Sequence, residues 1–153
     1  MTATKPSDGL VLQRILSLDD EKDALVALIV SAHNDGDSSS DVVTERVVSI
    51  LSRLRHLIYE QKQVTPLRIA VVVEEPPNGG AEVRAYRSAL SEAARGICQS
   101  LAREIGPRIR INTVRCDNIN RTTIDPTLHF LASSQADFLT GSTIDLRQDQ
   151  EGR

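Results

Sequence analysis

Apolar residues recur along the middle of the chain with two different periods. Over residues 43–58 they follow one another at steps of three and four, which predicts a helix capped by Asp41. The same period over residues 82–105 predicts a second, longer helix. Between the two helices, residues 67–73 are almost continuously apolar, which is typical of a strand that is covered on both faces.

The C-terminal third continues this alternation of helices and strands. Residues 109–114 predict another strand, residues 127–133 a short helix and residues 143–146 a last strand. Helices that alternate with buried strands indicate an α/β domain whose parallel sheet is wound on both faces by right-handed crossovers. We therefore expect one domain over residues 10–147, with flexible tails at 1–9 and 148–153.

The N-terminal part has a less regular pattern. Residues 10–18 contain an apolar segment that could be a strand, although it fits neither period cleanly. Residues 24–32 fit either a buried strand or the end of a helix that begins at Asp19, and their β-branched residues favour the strand. The choice between strand and helix for residues 10–36 stays open at this stage.

Composition excludes several classes of protein. The chain has 153 residues, of which 40% are hydrophobic, and its longest apolar run covers about half of a bilayer span, so we expect no membrane partner. A net charge of -3 without a dense basic block argues against a nucleic-acid partner. Two cysteines make no disulfide framework, and the N-terminus lacks the apolar core of a signal peptide, so we expect a cytoplasmic protein.

No metal site is expected. The residues that could act as ligands show no ligand spacing such as Cys-x-x-Cys or His-x-x-x-His; they are His33, His56, His129, Cys98 and Cys116.

Three stretches of the sequence carry a resemblance to a known family. Residues 85–94 look like a helix with a Tyr-x-x-x-Lys motif, residues 100–114 like the end of that helix and the next strand, and residues 128–146 like a C-terminal helix, a Phe-x-x-Gly-like turn and a last strand. In this order and spacing they resemble the short-chain dehydrogenase/reductase family, most closely its 3-oxoacyl-(acyl carrier protein) reductase-like members. The resemblance implies a Rossmann-like fold and NAD(P)-dependent chemistry.

The sequence departs from that family at its nucleotide site. Neither Gly-x-x-x-Gly-x-Gly nor Gly-x-Gly-x-x-Gly occurs anywhere in the chain, although the family needs such a turn to hold the pyrophosphate. We therefore expect a partial Rossmann-like, doubly wound parallel sheet that lacks the N-terminal dinucleotide-binding half. No cofactor is expected to bind this chain alone, and NAD(P) is expected only in a full-length partner.

The catalytic positions implied by the resemblance are also depleted. Tyr86 stands at the position of the catalytic acid, but Leu90 occupies the place of the Lys that would lower the pKa of the phenol. The place of the substrate-orienting Ser holds Val73 and Glu74, and no Asn occurs between Asn34 and Asn78. Tyr86 is thus the one catalytic candidate, and we interpret it as vestigial.

The association surfaces of the resembled family are better preserved. The resemblance implies that helices 42–62 and 82–105 pair with those of a neighbour as a four-helix bundle, and that residues 138–147 meet a second neighbour. The second helix carries small residues on more than one face, which would let a partner helix approach closely. The predicted interface residues are Val47, Leu51, Leu54, Ala85, Ala89, Ala93, Ile97, Phe138 and Ile144.

Three functional hypotheses follow from these observations. The first is a non-catalytic subunit that pairs with a complete NAD(P)-dependent ketoreductase as a hetero-oligomer, stabilising or tuning that enzyme. The second is a residual oxidoreductase in which Tyr86 and partner residues form a composite active site for acyl-carrier-bound 3-oxo substrates. The third is a homodimeric module that binds a small molecule, for which the sequence offers no polar constellation.

Overall fold

The computed structural model describes residues 11–17, 24–31, 40–60, 67–75, 77–118 and 121–148. The predicted tail 1–9, the predicted tail 148–153 beyond Gln148, and His33 lie outside these residues.

One mixed sheet of five strands forms the centre of the described structure. The strands are β1 (Val11–Ser17), β2 (Ala24–Ser31), β3 (Leu67–Glu74), β4 (Ile109–Cys116) and β5 (Thr143–Asp145), and they lie side by side in chain order. Strands β2 to β5 are parallel, whereas β1 pairs with β2 in the antiparallel direction. The helices are α1 (Ser40–Glu60), α2 (Ala81–Ile105) and α3 (Arg121–Ala132), and a 3-10 turn spans Ser134–Ala136.

The segment whose pattern was ambiguous is a strand. β2 pairs in parallel with β3 from Leu25 opposite Arg68 to Ser31 opposite Glu74, so the β-branched residues indicated the correct element. β1 is a strand as well, but its direction was not predicted. Only residues 18–23 join β1 to β2, which is too short a connection for the crossover that a parallel pair needs.

Helix α3 begins earlier than the sequence pattern predicted, at Arg121 instead of residue 127. Ile124, Leu128 and Leu131 recur at steps of four and three and are all buried against the sheet. Their common face holds the first turns in place, although Pro126 removes one helix hydrogen bond.

Two hydrophobic cores lie on opposite faces of the sheet. The first lies between the sheet and helices α1 and α2, and it contains Leu28, Val71 and Leu90. The second lies beneath α3 and contains Val72 and other apolar residues of β2, β3 and β4. Because alternate residues of β3 enter different cores, the whole strand is buried, which explains its continuous apolar run. The prediction of a sheet wound on both faces is therefore confirmed.

Candidate functional site at the carboxyl edge of the sheet

The carboxyl ends of the parallel strands meet at one edge of the sheet. Ser31 lies opposite Glu74, and Glu74 lies opposite Cys116 in the strand register. Arg115 lies opposite Asp145 on the last strand. Open α/β sheets bind their ligands at this edge, so it is the candidate functional site.

A buried ion pair joins the ends of β3 and β4. Arg115 donates to both carboxylate oxygens of Glu75, with Nε 2.9 Å from Oε2 and Nη2 3.3 Å from Oε1. The side chains are 13% and 8% exposed, respectively. A two-pronged contact of this kind is among the stronger hydrogen-bonded pairs in proteins, so it fixes the position of both side chains.

A second cation approaches Glu75 from the C-terminal side of β5. Nη1 of Arg147 lies 3.5 Å from Oε2 of Glu75, and Nε of Arg147 lies 2.8 Å from Oδ1 of Asp145. The hydrogen bonds from Arg147 hold the pKa of Asp145 below its ordinary value, against a smaller opposing effect of burial. The carboxyl edge is therefore filled by paired charges of the chain itself.

Cys116, at the end of β4, is buried in the second core and lies within reach of the charges of three carboxylates. Its thiol is buried and lies 3.7 Å from the carbonyl oxygen of Val73, to which it donates. Burial, followed by the charges of Glu74, Asp117 and Glu75, raises the pKa of this thiol to about 12. Cys116 is consequently a poor nucleophile at neutral pH, since only the thiolate reacts well.

Tyr86 lies in the first core and not at an open cleft. Its side chain is 4% exposed, and the guanidinium of Arg46 on α1 stands over its ring, 5.9 Å from the centroid. No described residue makes a hydrogen bond with the Tyr86 hydroxyl. Burial raises the pKa of this phenol, and Arg46 offsets the rise only in part. A catalytic acid at neutral pH needs the opposite shift.

The residues at the other depleted positions are buried too. Leu90, one turn after Tyr86 on α2, is completely buried in the same core. Glu74, in the place of the substrate-orienting Ser, is 7% exposed. The structure thus brings Tyr86 and Leu90 together in a hydrophobic core.

The predicted interface residues fall into three groups. Leu51, Ala85, Ala89 and Phe138 are exposed, and Phe138 is the most exposed of the large apolar residues among the described part of the chain, at 77%. Partly buried positions form the second group, which comprises Val47, Ala93, Ile97 and Ile144.

Leu54 is the exception, because it is completely buried against the first core and offers no surface to a partner. Its position one turn after Ile50 places it on the face of α1 that packs inwards. Sequence reasoning also missed Val48, which is 57% exposed. In the sequence, Val48 could be recognised as an apolar residue that lies off the buried stripe of α1.

Two buried polar residues also escaped the sequence analysis. Arg68 in β3 is 3% exposed, and its Nη2 lies 3.0 Å from Oδ1 of Asp137. Asn112 in β4 is 4% exposed; its Nδ2 donates to the carbonyl oxygen of Leu139 at 3.2 Å, and its Oδ1 accepts from the backbone N–H of Ser142 at 3.0 Å. Both residues anchor the turn that leads to β5. In the sequence, each could be recognised as a polar residue inside a strand.

The described histidines, which were candidate metal ligands, do not lie together in one site. His56 contacts Glu60 on the surface of α1 at 3.2 Å, and His129 is exposed on α3. Within the described residues, no group of three or more His, Cys, Asp or Glu side chains could hold a metal ion. None of the helices in the described part combines the length and hydrophobicity of a membrane span.

Comparison with solved structures identifies the fold. The chain matches a short-chain dehydrogenase/reductase of Brucella melitensis, described as a glucose/ribitol dehydrogenase, with a TM-score of 0.55 and 18% identity over 78% of this chain and 62% of that one. A variant of a Serratia marcescens short-chain dehydrogenase/reductase gives a TM-score of 0.53 and 20% identity over 78% and 63% of the two chains. A Brucella ovis oxidoreductase of the same family, in complex with partially ordered NAD, gives a TM-score of 0.53 and 16% identity over 76% of this chain and 63% of that one. No family model matches the sequence, and no match was found among curated proteins.

The chain therefore has the fold of the short-chain dehydrogenases/reductases over about three quarters of its length, as the resemblance predicted. It spans less than two thirds of the length of each of these three structures.

Proposed function

We propose that this chain is a non-catalytic, short-chain-reductase-like subunit that pairs with a complete NAD(P)-dependent ketoreductase and stabilises or tunes it. The observation that carries the proposal is the burial of Tyr86 together with Leu90 in a hydrophobic core. A phenol that acts as a proton donor needs a nearby cation and access to the substrate. The Tyr86 side chain is only 4% exposed, and burial raises the pKa of its phenol despite the nearby guanidinium of Arg46, so it has neither the lowered pKa nor the access that a proton donor needs.

The residues at the carboxyl edge do not fit a bound dinucleotide. A pyrophosphate is held by glycine-rich backbone N–H groups and positive charge, whereas here Glu74, Glu75 and Asp117 gather at the end of the sheet. Two cations at this edge, Arg115 and Arg147, are already engaged by carboxylates of the chain. These contacts support a subunit that leaves NAD(P) binding to its partner.

Helices α1 and α2 present the surface that fits a partner. The two helices pack against each other, and on the outside α1 exposes Val48 by 57% and Leu51 by 44%. On α2 the exposed positions include the small residues Ala85, Ala89 and Gly96. Large apolar side chains on one helix and small residues on its neighbour allow a partner's helices to pack closely, as in a helical interface.

Replacing Leu51 with glutamate tests this surface. We expect the free energy of unfolding of the isolated chain to change by no more than about 0.5 kcal/mol, because the residue is partly exposed. Affinity for a complete short-chain reductase partner should fall roughly a hundredfold, because the interface would then bury an unpaired charge. A denaturant titration of the isolated chain measures the first effect. Co-expression followed by size-exclusion chromatography and a binding titration measures the second. Phe130→Glu on α3 is the matched control, and unchanged co-elution of Leu51→Glu would contradict the proposal.

The alternative is a residual oxidoreductase with a composite site, in which partner groups complete the site around Tyr86. The lack of a hydrogen bond to the Tyr86 hydroxyl among the described residues favours it, since a buried hydroxyl usually has a partner. A partner that supplied this hydrogen bond and a cofactor could act on carrier-bound 3-oxoacyl substrates.

Tyr86→Phe separates the two functions. For a non-catalytic subunit we expect turnover of the assembled complex to stay within twofold of the unmodified complex. The free energy of unfolding of the isolated chain should be unchanged or about 1 kcal/mol higher, because an unsatisfied buried hydroxyl is removed. A fall in turnover of about a hundredfold or more, without loss of the complex, would instead establish the composite site.

A further inference from the structure

The residues that follow β5, here called the strap (residues 146–148), lie across the end of β4. The backbone N–H of Leu146 donates to the carbonyl oxygen of Arg115 at 2.8 Å. The backbone N–H of Gln148 donates to Oδ2 of Asp117, also at 2.8 Å. The strap is thus bonded to the residues on either side of Cys116.

The side chain of Arg147 fastens the strap to two different strands. It contacts Asp145 at the end of β5, with Nη2 2.5 Å from Oδ2. It also reaches Glu75 after β3, with Nη1 3.5 Å from Oε2. Because β4 lies between β3 and β5, the Arg147 side chain spans the end of β4.

The strap covers part of the second core. Leu146 packs against that core, whose members include Cys116 at 1% exposure. In contrast, Cys98 is buried to the same degree in the first core, on the other face of the sheet. The reactivity of each cysteine therefore probes the opening of a different face of the sheet.

We infer that the strap is a local closure, which Arg147 fastens over the carboxyl edge and which opens as a unit when Arg147 releases Glu75 and Asp145. The inference does not depend on pairing through helices α1 and α2, because the strap lies at a different place in the fold.

The contacts of the strap suit a local opening. The Arg147 and Asp145 side chains are 35% and 42% exposed, so water and salt reach their ion pair. The backbone hydrogen bonds of the strap lie at the end of the sheet, and Leu146 is its one residue that packs against the second core. Segments with these properties open with less free energy than the global unfolding of a domain.

Thiol labelling tests the inference in the full chain. Iodoacetamide labelling of Cys116 and Cys98 is followed by peptide mass spectrometry, in the unmodified protein, Arg147→Ala, Arg147→Lys and the control Arg103→Ala on the exposed side of α2. The raised pKa values, about 12 for Cys116 and about 11 for Cys98, make the closed protein react slowly with the reagent.

We expect Arg147→Ala to raise the labelling rate of Cys116 about tenfold and to leave Cys98 unchanged. Arg147→Lys should give an intermediate rate, and Arg103→Ala should leave the labelling rate of Cys116 unchanged. About 1 M NaCl should accelerate the labelling of Cys116 in the unmodified protein more than in Arg147→Ala, because the ion pairs are screened.

Backbone amide exchange provides the second readout. In Arg147→Ala the amides of Leu146 and Gln148 should exchange about tenfold faster, while that of Gly141, which donates to the carbonyl oxygen of Ile111, should not. An equal rise in labelling of both cysteines would mean general destabilisation and would overturn the inference. Unchanged rates at Cys116, Leu146 and Gln148 would overturn it as well.

Discussion

Leu90→Lys restores the side chain that the resembled family carries one turn after its catalytic tyrosine, and we expect it to destabilise the protein by about 4 kcal/mol or more. Leu90 is completely buried in the first core, whose other members are hydrophobic side chains and Tyr86. An ammonium group there loses its hydration. Urea denaturation measures the loss, and an assay of NAD(P)H oxidation should detect no gain of activity.

The pH dependence of Leu90→Lys distinguishes buried charge from a steric effect. Burial lowers the pKa of the introduced amine in the folded state, so between that lowered pKa and about pH 10 the unfolded state binds more protons. The stability deficit should therefore shrink as the pH rises towards 10. Leu90→Met is the matched control and should cost less than about 1.5 kcal/mol at any pH. A Leu90→Lys variant as stable as the unmodified chain would show that residue 90 does not lie in a closed core.

Asn112→Asp is expected to cost about 2 to 4 kcal/mol, although the two side chains have the same shape. The aspartate still accepts from the N–H of Ser142, but the donor to the carbonyl oxygen of Leu139 is lost. A carboxylate oxygen then faces that carbonyl oxygen in a site that is 4% exposed. Thermal denaturation at pH 7 measures the effect.

The matched control for this variant is Asn118→Asp, because Asn118 is exposed and the substitution should change stability by less than about 0.5 kcal/mol. Acid should partly rescue Asn112→Asp, since the protonated carboxyl can donate again. The pKa of this carboxyl is raised in the folded state, so the part of the destabilisation that comes from its charge should shrink as the pH falls through that raised pKa and be gone below about 4. Equal melting temperatures for the two variants would contradict the proposed role of Asn112.

The periodic elements could be predicted from the sequence because burial acts on every residue of them. The strand β3 enters two cores on alternate residues, and α2 keeps one buried stripe through Tyr86, Leu90 and Cys98. The spacing of hydrophobic residues in the sequence predicts both arrangements directly. The position of β4 followed for the same reason.

The charged edge could not be predicted in the same way. Glu75 and Arg115 are separated by one helix and one strand, and nothing in either local pattern indicates that they meet at 2.9 Å. In the sequence, Glu75 lies between the apolar run 67–73 and Pro76-Pro77, which is typical of a loop. Arg68 was passed over because its neighbours make the strand, while its charge is satisfied by Asp137, which follows the 3-10 turn. Long-range pairs of this kind depend on the register of the sheet.

The first strand limits how a nucleotide-binding half could be grafted onto this chain. In a Rossmann sheet the two halves join through parallel neighbouring strands at the point where the strand order reverses. Here β2 is already paired along its outer side with β1, from Val11 opposite Val30 to Ser17 opposite Ala24. A fragment supplied in trans would find no free backbone hydrogen-bonding groups on that side of β2. Fusion or complementation designs would therefore have to delete residues 11–17 before the added strand could join the sheet.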